Sequence, residues 1–422
     1  MITRRGFIKS SGLALFGIGL GGVPTFVVEA ANRILEPSPF NRKKILICIF
    51  QRGAMDGLMA VTPYSDPFLA NARPSLFISP AKQASNSGLI DLDGHFGMHP
   101  SLSSFAGLFN QKQLAVVHGI GSPNNSRSHF DAQDYMESGT PFSKSTNSGW
   151  LNRAVGLIGH DALSPLQAVS LTSSLPRSFY GPNPTMALSN LRDFAIQMNG
   201  NPLGANIAAQ SFEDLYDQTS AGLLKDTGKE SFEAMKILKN ADTKNYKPNP
   251  KAQYTNSPLS NSLKQIAQLV KMNVGLEIGF AESGGWDTHY AQGAQNGTFS
   301  RVIDDFSKSI TALWNDLDTF QDDVVIMTMT EFGRTVKENG TGGTDHGRGS
   351  CNFIIGNNII GGKVHGSVPV LAKENLEDGR DLPVTTDFRT VFSEVADRQF
   401  NIHNDDALFP GFSSTPIGVM KA

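Results

Sequence analysis

The segment LEIGFAESGGWDTHYAQG, residues 276–293, changes character halfway along. Leu276 to Ala281 is a short, mostly apolar run, which reads as a strand buried on both faces. Gly284 and Gly285 then release the chain into Trp286-Asp287-Thr288-His289. An acid and an imidazole just past a buried strand form either a site or a loop whose polar groups satisfy one another. Ile45–Phe50, Leu114–Val117, Leu166–Leu171, Val324–Met329 and Cys351–Ile355 are runs of the same kind. Between them lie amphipathic stretches, Ser260–Asn273, Phe299–Phe320 and Thr386–Phe400, the last with Thr385 or Thr386 as its cap. This alternation predicts an α/β chain, doubly wound, with a mostly parallel sheet and helices on both faces.

In open α/β sheets, ligands lie beyond the carboxyl ends of the strands. Gln51, Arg52 and Asp56 follow the first run. His118 and then Ser126-Arg127-Ser128-His129 follow the second. Asp287 and His289 follow residues 276–281, and Glu331 and Arg334 follow Val324–Met329. Asp345 and His346 precede Cys351–Ile355, so they reach the same rim if that strand runs antiparallel to the others or the loop folds back. Residues two apart in an extended chain point the same way, so Asp287 and His289 can meet one ion. Carboxylate with imidazole suits zinc, manganese or iron. With Glu331, Asp345, His346 and Asp56 there are ligands for two ions, a set suited to phosphoryl or sulfuryl transfer. The competing reading has Asp287 only ordering His289 by a hydrogen bond.

Ser126 and Ser128 are candidate nucleophiles, flanked by Arg127 and His129, at the start of a helix over Phe130–Glu137. The N–H groups and dipole of that helix start favour an anionic substrate. Ser128 and Asp131 fit a capping box equally well, so Ser128 reads as cap or nucleophile. Arg52, Arg127, Arg153, Arg334 and Arg348 stand beside these motifs, and their guanidinium forks suit phosphate, sulfate or a salt bridge.

The remaining signals concern organisation. The chain has 422 residues with 39% hydrophobic and 18% charged side chains, a globular composition. Its net charge of -3 offers no basic surface for nucleic acid. Residues 1–30 read as a twin-arginine signal, with Arg4-Arg5 before Phe7-Ile8-Lys9, an apolar run from Leu13 to Val28, and cleavage near Ala30. A membrane anchor is the second reading of that run, which Pro24 and its glycines oppose. The signal implies the twin-arginine export machinery as a partner, a periplasmic or extracellular destination, and a mature chain that does not span a membrane. Residues 31–42 form a linker, and 43–422 one domain with a polar, partly helical insertion at about 200–257, whose stretch 240–256 reads as an exposed loop. Cys48 and Cys351 read as buried thiols, or as a bridge if their strands are neighbours.

Taken together, QRGAMDGL, GMHPSL, SRSHFDAQDYMESG, GWLNRA, GGWDTH, MTEFGRT, GGTDHGRG and the late LFPGF resemble the domain of unknown function 1501 family. That family is grouped with the alkaline-phosphatase-like superfamily, which includes sulfatases and phosphodiesterases. The resemblance implies an alkaline-phosphatase-like fold, one or two divalent ions (zinc, manganese or calcium) and a serine or threonine nucleophile. Carried onto this chain, Asp287, His289 and His346 would hold one ion, Glu331 would serve the other, and Ser128 or Ser126 would attack. Two positions depart from the superfamily pattern: Gln51 stands where the first strand usually delivers an acid, and Phe332 where a histidine follows the acid. The expected function is hydrolysis of phosphate or sulfate esters on a small or polymeric anionic substrate. A non-catalytic periplasmic binding or assembly protein with the same fold is the alternative.

Overall fold

The computed structural model describes residues 43–80, 88–160, 164–191, 233–234, 237–238 and 246–422. The expected signal and linker lie outside these residues, as does most of the expected insertion. In chain order the strands are β1 (Ile45–Gln51), β2 (Val61–Pro63), β3 (Ile90–Asp91), β4 (Phe96–Met98), β5 (Leu114–Gly121), β6 (Ala168–Ser170), β7 (Met186–Ala187), β8 (Ile278–Ser283), β9 (Val324–Thr330), β10 (Ser350–Ile355), β11 (Lys363–Gly366) and β12 (Thr386–Asp387). The longer helices are α1 (Ser103–Asn110), α2 (His129–Ser138), α3 (Trp150–Leu157), α4 (Pro258–Lys271), α5 (Thr298–Leu317) and α6 (Phe388–Phe400).

Nine strands form one sheet in the order β11-β5-β10-β9-β1-β8-β6-β7, with β12 also paired to β5, and β2, β4 and β3 form a second, small sheet. In the large sheet β1 pairs in parallel with both β8 and β9, and β6 with β8 and β7. Strand β10 runs antiparallel to both its neighbours, β5 and β9. The sheet is therefore mixed but mostly parallel, and the chain is α/β.

Each apolar run forms a strand because both of its faces are covered. Along β1, Ile45, Ile47 and Ile49 join one core with α1, α4 and α5, while Leu46, Cys48 and Phe50 join another with α3 and α6. Helix α5 carries Phe299, Ile303, Phe306, Ile310, Leu313 and Leu317 on its buried stripe. Helix α4 starts where Ser257 accepts from the Ser260 N–H, with Pro258 in the first turn. Helix α6 is capped by Asp387 rather than by Thr385 or Thr386, because Thr386 is already paired in β12.

Two further expectations change. No bridge joins Cys48 and Cys351: β9 lies between their strands, the two side chains pack into different cores, and both thiols are free. The stretch ending the insertion is not a plain exposed loop. The hydroxyls of Tyr246 and Tyr254 and the Asn249 N–H converge on the buried Asp316 carboxylate, which also meets Lys271. Among the described residues no helix is long and apolar enough to cross a membrane.

His118, on β5, is fully buried and neutral. Its Nε2–H donates to the Val61 carbonyl at 2.9 Å and its Nδ1 accepts from the Gly119 N–H at 2.9 Å. Burial pushes its pKa from 6.5 down to about 4. The folded pKa lies below the unfolded one, so this contribution to stability is complete above pH 6.5 and is lost as pH falls towards 4. The loss should be about 3 kcal/mol. Urea unfolding of the wild type and His118→Gln across that window should show a shallower pH slope in the variant, and identical slopes would refute this account.

Candidate functional site

Strands β1, β8 and β9 lie side by side and parallel, so their carboxyl ends share one rim. They carry Gly53, Asp287 with His289, and Glu331 to it. Strand β5 leads into the loop that ends at His129, the first residue of α2. Because β10 is antiparallel, its leading residues start from that same rim, which places Asp345 and His346 there.

The loops can converge because glycines stand where they cross. Gly53 has φ +114°, and a Cβ there would lie 2.7 Å from the Asp287 nitrogen. A Cβ on Gly343 would lie 2.4 Å from the carbonyl oxygens of both Thr288 and His289. Trp286 anchors the β8 loop from below: it is buried, donates to Ser283 Oγ and meets Phe299 and Phe306 edge-on. Thr288 turns inward to Gln292, leaving Asp287 and His289 on the outer side.

Arg334 ties the rim together. Its buried guanidinium donates to the carbonyls of Gly53, Ala54, Trp286 and Thr344 and, at 2.7 Å, to Asp287 Oδ1. Burial raises the Asp287 pKa, but the Arg334 bond and charge outweigh it and hold the carboxyl below its ordinary value.

Three imidazoles surround Asp287, and each is held from behind through Nδ1. His129 Nδ1 lies 2.9 Å from Glu331 Oε1, His289 Nδ1 lies 3.1 Å from Asp345 Oδ1, and His346 Nδ1 lies 2.7 Å from the Arg127 carbonyl. Those partners are acceptors, so Nδ1 carries a proton in each ring. The Nε2 atoms face inward. His289 Nε2 stands 2.8 Å from His346 Nε2 and 3.2 Å from Asp287 Oδ1. His346 Nε2 is 3.7 Å from Oδ1, and His129 Nε2 is 3.6 Å from Oδ2. Phe332 packs against both His129 and His346, with ring centroids 5.0 Å apart in each case. The histidine expected after the acid in the superfamily is thus a ring that buttresses two imidazoles contributed by other segments. Side-chain exposure of 49% at Asp287 and 42% at His289, against 24% at His129 and His346, leaves the cluster open on one side.

The other candidates fall into two groups. Ser128 is exposed, and its backbone caps α2 while its hydroxyl makes no capping bond. That hydroxyl is free beside His129, whereas Ser126 Oγ accepts from the Ser128 N–H. Glu331 is buried. Its burial raises its pKa, but bonds from His129, Gln133 and the Gly53 N–H prevail and hold it ionised. Arg127 turns its guanidinium away to Asp378 and Asp381 and contributes only its carbonyl. Asp56 also turns away: it pairs with buried Arg73 at 2.9 Å and accepts from Gln292 at 2.8 Å. Arg52, Arg153 and Arg348 are likewise committed, Arg52 to Glu137 and Glu282, Arg153 to backbone carbonyls, Arg348 to Glu377 and the Asn124 carbonyl. His99 is buried and bonds the Ser101 N–H and the Ala294 carbonyl.

Sequence reasoning missed Gln133, one turn after His129 on α2, which donates to Glu331 and accepts from Arg52. Its helical spacing from His129 was the available signal. No curated protein matches the chain. Residues 43–409 match the family described as "Protein of unknown function (DUF1501)", and the chain belongs to that family.

Proposed function

We propose that the protein is an exported, metal-dependent hydrolase of phosphate or sulfate esters with an alkaline-phosphatase-like fold. The observation that carries this reading is the convergence of inward-facing Nε2 atoms on the Asp287 carboxylate, with Ser128, whose hydroxyl makes no capping bond, directly before His129 in the chain. Imidazole lone pairs with one carboxylate are the donor set that a divalent transition ion takes. Such an ion, when bound, would stabilise charge developing on a phosphoryl or sulfuryl oxygen.

The chain's own residues divide the remaining work. Arg334 keeps Asp287 ionised and aimed. Glu331, Asp345 and the Arg127 carbonyl fix the imidazole tautomers. Ser128 lies at the start of α2, where N–H groups without helical partners favour an anion. As its Oγ bonds the phosphorus or sulfur its proton passes to solvent, the ester oxygen leaves and is protonated to the alcohol, and water then hydrolyses the seryl ester to serine and free phosphate or sulfate. The twin-arginine segment carries the folded chain across the cytoplasmic membrane.

The test is turnover of p-nitrophenyl phosphate and p-nitrophenyl sulfate by the purified full chain, with zinc, manganese or calcium added. Activity with one of these esters is expected, with Ser128→Ala lowering kcat roughly a thousandfold or more. Absence of turnover with every ester and ion would favour the non-catalytic binding protein. Full activity in Ser128→Ala would remove the serine mechanism.

A further inference from the structure

We infer that the site holds a single, imidazole-selective ion, with His129, His289 and His346 each giving Nε2 and Asp287 the one carboxylate. The inference rests on the metal-binding half of the proposed function and fixes the number and class of the ion.

His129 is the new member of the set. Its Nε2 is buried and has no hydrogen-bond partner, although its Nδ1 is firmly held by Glu331. A buried ring nitrogen without a partner, set among the nitrogens and carboxylate of the cluster, is unfavourable unless a cation, a proton or a metal ion, lies among them. The 2.8 Å contact between His289 Nε2 and His346 Nε2 likewise needs a proton or a metal ion between the two nitrogens, since both Nδ1 protons are already committed. One atom each of His129, Asp287 and His346 lie within 4.8 Å of one another, and His289 Nε2 lies 2.8 Å from His346 Nε2 and 3.2 Å from Asp287 Oδ1. The acceptors behind the rings complete the pattern by which metal-binding histidines are oriented.

The other carboxylates of the site are already tied to protein groups. Glu331 Oε1 already takes bonds from Gly53, His129 and Gln133, and its Oε2 takes one from Thr330. Asp345 Oδ1 is shared by His289 and Asn339. Asp56 is bound by Arg73, Gln292 and the Met59 N–H. These carboxylates support the structure around the ion rather than binding one themselves. Three nitrogens and one oxygen suit zinc and its neighbours, whereas calcium and magnesium take sets made of oxygen.

The test uses the full chain freed of metal by dialysis and titrated with zinc or calcium. One zinc per chain is expected, with no competition from calcium at hundredfold excess. Diethylpyrocarbonate labelling with peptide mapping gives a readout that needs no variant. Zinc should protect His129, His289 and His346, while the exposed His95 and His403 go on reacting. His129→Ala should weaken zinc binding at least a hundredfold, and Glu331→Gln by about 10- to 100-fold, with circular dichroism confirming the fold of each. Two zinc ions per chain, unprotected His129 at saturation, or wild-type affinity in folded His129→Ala would overturn the inference. Zinc uptake without ester hydrolysis would sustain the single-ion site and sink the hydrolase. Hydrolysis with all three histidines still reactive would do the reverse.

Discussion

Arg334→Met should lower the melting temperature by at least about 5 °C, a loss on the order of 4 kcal/mol. The size follows from what the guanidinium holds. It is 1% exposed and bridges four backbone carbonyls on three separate loops, besides Asp287. Methionine fills much the same volume but donates nothing. The carbonyls of Gly53, Ala54, Trp286 and Thr344 would then stay buried without a partner, and each such loss is costly. Arg334→Lys should recover only part of the loss, because one ammonium cannot span a fork of five acceptors. In Arg334→Met, Asp287 would also lose the charge that holds its pKa down, so its titration should move up in that variant. Differential scanning calorimetry measures the first effect. A Met variant melting within about 1 °C of the wild type would show that the loops are held by their glycine contacts alone.

The sequence made the main sheet legible where strands are long and covered on both faces. Leu276–Ala281 and Val324–Met329 were visible as apolar runs, and β8 and β9 occupy nearly those positions. Strands β7 and β12 contain two residues each, too few to leave a pattern. Helix α1, with the sequence SSFAGLFN, spans barely two turns, and a glycine interrupts its amphipathic face. At the site, the carboxyl-edge rule pointed to Asp287 and Glu331 because each closely follows a parallel strand. Asp345 and His346 reach the rim through the reversed direction of β10, which the sequence left as a condition. The division of labour among these residues was not legible. Whether His129 works with Ser128 or with Asp287 depends on Glu331, 202 positions away, which fixes its ring through Nδ1. Whether an arginine is free for an anion depends on partners such as Asp381, 254 positions from Arg127. Local spacing identifies which residue types reach the rim, but side-chain direction is set by contacts between segments far apart in sequence.

Asp56→Ala should cost about 3 to 5 kcal/mol while leaving zinc affinity within threefold of wild type. This residue follows the first strand, where the alkaline-phosphatase pattern would look for a ligand, so the two readings predict opposite results. In the structure Asp56 and Arg73 are 1% and 2% exposed as side chains, and the carboxylate accepts both 2.9 Å and 3.1 Å bonds from one guanidinium nitrogen. Arg73 spends its other donors on the Val336 and Thr335 carbonyls, so it joins the one-turn helix at Gly57–Ala60 to the loop that follows Arg334. Alanine would strand that guanidinium in a dry interior, and the stranded charge dominates the expected loss. Asp56→Asn keeps an acceptor oxygen and the fit to Met59 and Gln292, so it should lose less than Asp56→Ala but more than an exposed substitution. Urea unfolding orders the three chains by stability, and zinc titration of the folded variants reads the site separately. Loss of zinc from a stably folded Asp56→Ala would make Asp56 a ligand, since a residue that only braces Arg73 has no route to the ion except through the fold.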